Sequence, residues 1–452
     1  MAIQSRRDFL VASALTIGSF VVSTGFSGCK NKTQSKATFE HGVASGDPLI
    51  DRVIIWTRLT PSNNINTLNV FYEVALDEAF ENLVRPQESA TVYKENDYTL
   101  KVDFQNLDPN THYFYRFKVG NTYSPTGRMK TLPIGATSQV KLGVFSCANY
   151  PNGHFNAYQE AAQLSDLDAT LHLGDYIYEY GMFESDGVTP AYATKHAADY
   201  GRELPSDNDT ELLTLNDYRK RYALYHTDPG LQAIHAACPM IAVWDDHEVA
   251  NDSYKDGAQN HNDGEGDYTQ RKLAALQAYF EWLPIRPVME NDTETIYRSF
   301  TFGDLVNLHM LDTRIIGRDI QLSYSDFPEL FQGDSSAFIT ALSDSNRSIM
   351  GNDQTLWLQQ QLGASSTTWD VLAQQVLMGR MLLPAELLGL IGQLDHASES
   401  DKPQLLAQLN ALVTELYTIK MRMNEGDPSL TPQEIARVSN ALPYNLDSWD
   451  GY

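Results

Sequence analysis

Cysteine is scarce in this chain: three residues in 452, of which only Cys147 and Cys238 lie beyond Cys29. That scarcity excludes a small scaffold stapled by disulfides. Positive charge is scarce too. Lys and Arg number 33 against 58 Asp and Glu, a formal net charge of −25, with the acidic groups scattered rather than gathered in a tail. Such a surface repels phosphate backbones, so nucleic-acid binding through a basic patch is not expected. No internal repeat is present. The apolar run Leu10–Val22 falls short of the ~18 residues that cross a bilayer. What remains is 42% hydrophobic and 20% charged, the composition of a packed chain rather than a disordered one.

The first 29 residues read as a targeting segment, outside the fold. Ser5-Arg6-Arg7-Asp8-Phe9-Leu10 is a twin-arginine signal, and the short apolar run follows it. The segment closes on Phe26-Ser27-Gly28-Cys29, then a polar stretch from Lys30 to Ser35. Small residues before a Cys and a tether after it look like a lipoprotein site; the alternative is ordinary cleavage with an incidental Cys. Multiple acyl chains on Cys29 would anchor the protein stably, which one chain does not. The expected location is periplasmic or membrane-anchored, outside the inner membrane. Cys147 and Cys238 are expected as free thiols, one of them a ligand.

Residues 30–37 read as a linker and 38–135 as a small β-sandwich. Alternating runs such as Val53–Thr57 and Val70–Val74 are separated by polar turns. A turn at Leu107–Thr111 feeds an aromatic strand, with Tyr113 placed as a tyrosine corner in a module resembling fibronectin type III. From 138 to 452 apolar runs alternate with helical stretches, the pattern of an α/β core. Helices are expected over 155–164 and along 217–237, and a helical insertion over about 381–440.

Chemistry sits at the ends of the apolar runs: Ser146-Cys147, Gly174-Asp175, Asp245-Asp246-His247, Asp312-Thr313-Arg314 and Gln374-Gln375. In α/β sheets ligands gather at the carboxyl ends of strands. Buried carboxylates without partners are costly, so a cluster of them implies a cation. Asp175 is expected to bridge two metal ions, with Tyr178 on the same side of a helical turn as a phenolate ligand rather than a packing residue. Cys147 alone would read as a small buried hydrophobe; at a strand end beside Asp175 it reads as a thiolate ligand. Thiolate and phenolate together suit iron better than magnesium. In Trp244–Asn251, Asp246 is expected as a ligand, His247 as the general acid for the leaving alkoxide, and Asn251 as a further ligand through its amide oxygen. The alternative there is a capped helix start.

The stretches Phe145–Cys147, His172–Tyr180, Trp244–Glu248, Leu311–Arg314 and Ser448–Tyr452 resemble, in order and spacing, the motif series of PhoD-type alkaline phosphatases. The resemblance runs from about residue 40 to the end. It implies a calcineurin-like metallophosphatase sheet, iron with calcium, and hydrolysis of phosphomonoesters and phosphodiesters by a metal-activated hydroxide. It further implies that Cys147, Asp175 and Tyr178 hold iron and that Asp246 and Asn251 help hold calcium. Arg314 would hold the phosphate or support the site, with Asp450 near it. One departure stands out: the family continues to a Gly-Asp-x-His strand, while here only His396 follows His309. The chain is therefore expected to be incomplete at its C-terminus. The competing expectations are a phospholipase D-type phosphodiesterase and an inactive protein that binds metal or phosphate. Partners are expected to be small phosphate esters, and the chain a monomer.

Overall fold

The computed structural model describes residues 20–21, 36–289, 292–395, 397–398 and 400–452. The twin-arginine pair, Cys29 and His396 lie outside the described residues.

Alternation decides the N-terminal part. In Thr67–Ala75 and His112–Val119 every second side chain is buried, the mark of a strand with one face on a core. The two pair antiparallel; Glu88–Tyr93 flanks the first, while Gly127–Lys130 and Thr122–Tyr123 pair with the second. Leu68, Val70, Tyr72, Tyr115 and Phe117 from this sheet meet Val53, Ile55, Leu100 and Val102 from the strands Arg52–Arg58 and Thr99–Gln105 in one apolar core. Two sheets over a shared core make a β-sandwich. The Asp108 backbone N–H donates to the Tyr113 hydroxyl at 2.8 Å, so that ring locks the turn entering its strand.

One sandwich sheet continues past the point where the sequence pattern changes. Arg52–Arg58 pairs with Val43–Gly46, which lies beside Met240–Ala242, and the sheet goes on through Ala169–His172 to Leu142–Phe145. The last three strands are parallel. Only glycine fits the junction, because a Cβ on Gly46 would stand 2.5 Å from the Met240 carbonyl oxygen and 2.4 Å from that of Pro284. Arg298 clamps the same place, donating twice to the buried Asp47 carboxylate (2.7 and 3.0 Å) and once to the Ala242 carbonyl (2.9 Å).

The five apolar runs expected to share a sheet do not. Val306–Met310 forms a hairpin with Arg298–Phe302 and pairs parallel with Trp369–Ala373, a separate three-stranded sheet. The hairpin turn through Gly303 hands Val306–Met310 a local antiparallel partner, so it pairs there. Both sheets still feed one core, where Leu171, Ile241 and Trp244 meet Leu308, Met310, Ala373 and the helix Tyr268–Trp282. The long helical pattern over 217–237 also divides. Leu215–Tyr225 and Pro229–Ala237 are separate helices, because Pro229 cannot continue the first and Asp228 caps the second through the N–H groups of Gly230 (2.8 Å) and Leu231 (3.1 Å).

By contacts the chain forms two units, 1–317 with 350–375, and 318–349 with 376–452. The second holds the helices Ala385–Asp395, Lys402–Asn424 and Pro432–Ser439, closed by the antiparallel pair Leu382–Pro384 and Ala441–Pro443. No helix of the described residues is long and apolar enough to cross a membrane.

Candidate metal centre

Because Leu142–Phe145, Ala169–His172 and Met240–Ala242 run parallel, their carboxyl ends open on one edge. The chain turns sharply there. Gly174 sits at φ +102°, and a Cβ on it would lie 2.3 Å from the Asp245 nitrogen, so only glycine passes. Cys147 and Asp175 hold φ of +58° and +55°, a region that costs a side-chain-bearing residue on the order of 1 kcal/mol or more. The first two turns are bonded to each other: Cys147 N–H to the Gly174 carbonyl (3.2 Å) and Ala148 N–H to that of Asp175 (2.8 Å). The second and third are joined by the buried Glu248 carboxylate, which accepts from the N–H groups of Asp175 (3.1 Å), Tyr176 (2.5 Å) and Asp245 (2.8 Å). Burial pushes Glu248 up to about 7 despite these amides.

One carboxylate oxygen each from Asp175 and Asp246 and one ring nitrogen of His247 lie within 4.8 Å of one another, and all three residues are buried. The Tyr178 hydroxyl donates to Asp175 Oδ2 at 3.1 Å. The other oxygen, Oδ1, is buried with no hydrogen-bond partner. Burial, then the Asp245 and Asp246 charges, push the Asp175 carboxyl well above its usual range. Desolvation followed by the Asp175 charge pushes the Cys147 thiol up to about 11, and the same two causes drive Tyr178 far up. An orphaned carboxylate oxygen beside a thiol and a phenol, each needing positive charge to ionise at neutral pH, is a donor set that fits a cation. Cys147 and Cys238 are free thiols.

Asp246 behaves differently. Burial opposes its charge, but Arg314 and His247 hold it down at about 2. Arg314 Nε donates to Asp245 Oδ1 at 2.6 Å, and its NH2 lies 3.7 Å from Asp246 Oδ1. His247 Nδ1 is 2.8 Å from Glu179 Oε2, and the imidazole stacks on Tyr178 with centroids 4.3 Å apart. Burial disfavours its cation, yet Asp246 and Glu179 hold His247 well above the ordinary imidazole range. No helix starts at Asp246: residues 246–252 form turns, with Val249 and Ala250 N–H on the Asp246 carbonyl (both 2.8 Å) and Asp252 N–H on its Oδ2 (2.6 Å). Asn251 lies within that turn, its N–H on Glu179 Oε1 (2.7 Å) and its Nδ2 donating to Gln259 Oε1 (2.9 Å).

The two strand ends of the smaller sheet act as braces. Asp312 accepts the N–H groups of Arg314, Ile315 and Ile316, while Gln375 bonds Thr313 and the Leu311 carbonyl. Asp450 belongs to the second unit, where it accepts the Met381 N–H at 2.9 Å. Two residues escaped the reading of roles from sequence: Glu248 and Glu179. The available signal was chemical, a carboxylate inside a segment bound for burial, which must be bonded.

The family described as PhoD-like phosphatase matches residues 142–452, and PhoD-like phosphatase, N-terminal domain, matches residues 25–133. The chain belongs to the PhoD-like phosphatase family. Over 357 residues it is 36% identical to alkaline phosphatase D of Bacillus subtilis (strain 168), a match covering 76% of this chain and 57% of that protein. A solved structure of PhoD is similar at 33% identity and a TM-score of 0.63, covering 78% of this chain and 65% of that one. The chain thus spans less than two thirds of the length of each of these relatives.

Proposed function

We propose that this chain is a metal-dependent hydrolase of phosphomonoesters and phosphodiesters. The family and the relative named alkaline phosphatase D support ester hydrolysis. The observation that carries the reading is the convergence of Asp175, Asp246 and His247 within 4.8 Å beside Tyr178, with Asp175 Oδ1 lacking any donor.

Cys147, Asp175 and Tyr178 would hold iron, a set suited to a strongly polarising ion, and Asp246 with Asn251 would hold calcium through oxygen. Bound there, such ions supply positive charge that draws the phosphate oxygens and brings the pKa of a water toward neutrality. The protein's own groups do the rest. Glu179 fixes His247 at Nδ1, leaving Nε2 to give its proton to the departing alkoxide. Arg314 keeps Asp246 ionised and donates to Asp245. No Ser or Thr nucleophile is needed, because water attacks phosphorus in line.

The test is Asp175→Ala in the full chain, assayed on p-nitrophenyl phosphate and bis(p-nitrophenyl) phosphate alongside elemental analysis. Hydrolysis should fall by more than about 100-fold and metal content with it. An active, fully metallated variant would end the proposal.

Two finer readings belong here. The sandwich is of the fibronectin type III kind, supported by the Tyr113 corner. Residues 1–29 direct twin-arginine export and leave an acylated Cys29 at the mature end, supported by Arg6-Arg7 and Gly28-Cys29. The mass of the mature N-terminus checks this; an unacylated terminus refutes the tether.

A further inference from the structure

Directly after the Gly174–Tyr180 stretch the chain makes a small closed hairpin. Ala191 N–H bonds the Met182 carbonyl (3.2 Å), Glu184 N–H that of Thr189 (2.7 Å), and Phe183 faces Pro190. Asp186 turns the tip by accepting the N–H groups of Val188 and Thr189, both at 2.8 Å. Its base is pinned, since Thr194 Oγ1 donates to the Met182 carbonyl (2.8 Å) and Arg221 to that of Tyr180 (3.0 Å).

A hairpin so tied has no need of large apolar groups in water, yet Phe183, Val188 and Tyr192 are 52, 75 and 71% exposed. Three large apolar side chains left in water on one short segment make it a candidate binding surface. Tyr192 is also linked to the site. The Tyr192 ring lies 6.2 Å from that of Tyr180, whose own centroid is 5.5 Å from the His247 ring, which in turn stacks on Tyr178. An aromatic path therefore leads from the edge of the centre at His247 to solvent.

We propose that Tyr180 and Tyr192 form a platform that takes the uncharged, flat apolar group of a phosphodiester, making aryl diesters the preferred substrate class. The inference rests on the hydrolase reading. Glu184 and Asp186 on the same hairpin repel a second anionic group, which favours a neutral aryl occupant over a polyphosphate or nucleic-acid chain.

The experiment compares phenyl p-nitrophenyl phosphate with methyl p-nitrophenyl phosphate on the full, metal-loaded chain. The leaving group is common to both, so their ratio of kcat/KM reads the contact with the other ester group alone. Wild-type enzyme should favour the phenyl diester, and Tyr192→Ala should cut that preference about tenfold, mainly through KM, with Tyr192→Phe retaining it. Tyr192 is largely exposed, so the variant is expected to fold. Calorimetric binding of phenylphosphonate against methylphosphonate reads the same contact without turnover. A preference unchanged by Tyr192→Ala in both measurements overturns the proposal even if the chain hydrolyses both esters. So does a Tyr192→Ala variant that keeps the preference but loses a wild-type dimer in sedimentation, for then the patch is a subunit interface. Hydrolysis failing altogether, with the phosphonate preference present and Tyr192-dependent, would count against the hydrolase reading while upholding the platform.

Discussion

Glu179 has both carboxylate oxygens committed, one to His247 Nδ1 and the other to the Asn251 N–H and Asn260 Nδ2, each of the latter at 2.7 Å. Burial opposes its charge, but the facing imidazole and these donors hold it below the ordinary glutamate range. Glutamine keeps the shape and removes the charge that orients the ring. Glu179→Gln should lower kcat by about 10- to 100-fold with little change in KM. The loss should be larger on an alkyl ester than on a p-nitrophenyl ester, because a good leaving group departs without a proton. Equal loss on both esters would mean that Glu179 only supports the fold. The same residue shows what sequence hides. Asp175 and Asp246 were legible because a Gly-Asp and an Asp-Asp-His each close an apolar run. In Tyr176–Tyr180, by contrast, Glu179 stands among tyrosines with no motif that gives it a role. Only the fold, which lays the 246–252 turn over it, reveals its partner.

At the scale of elements, local pattern carried the strands and tertiary pairing carried their arrangement. Thr67–Ala75 and His112–Val119 alternate so regularly that their burial follows from composition alone. The break between Leu215–Tyr225 and Pro229–Ala237 was written in Asp228-Pro229, a cap followed by a residue that cannot extend the preceding helix. Two pairings had no local signal. Val43–Gly46 meets Met240–Ala242 across most of the first unit, a contact decided by the small size of Gly46 and the Asp47–Arg298 clamp. Val306–Met310 leaves the larger sheet for a hairpin whose first strand, Arg298–Phe302, was too mixed in polarity to stand out as an apolar run. The strand ends that hold Cys147, Asp175 and Asp246 were unaffected, since all three belong to the parallel part of one sheet. That is why these strand ends still open on one edge although the apolar runs divide between two sheets.

For the molecule as a whole, the buried histidines set a direction for stability against pH. His172 and His235 lie in the core with Nε2 on the Tyr158 and Tyr176 hydroxyls at 2.9 and 2.7 Å, and His226 shares Tyr176 at 3.0 Å. Burial brings His172 and His235 down to about 3 and His226 well below its ordinary value. An unfolded histidine titrates near ~6.5. Between those values the unfolded chain binds protons that the folded chain does not, so stability from these groups is full above ~6.5 and is lost as pH falls toward 3. Glu248, raised to about 7 by burial, runs the other way over ~4.5 to 7, and relief of the −25 net charge on acidification also favours the folded form. The whole-protein slope is a balance, so the test must be a difference. Urea unfolding of wild type and His235→Gln at pH 5, 6 and 7, in excess chelator to remove cation linkage, should show the variant less sensitive to acid by one proton. That is ~1.4 kcal/mol per pH unit below pH 6, fading above pH 7. A constant packing cost from the substitution shifts both curves without altering this slope. Parallel curves would mean that His235 is already protonated or solvated in the folded protein, and the buried imidazole cluster around Tyr176 would then have to be abandoned.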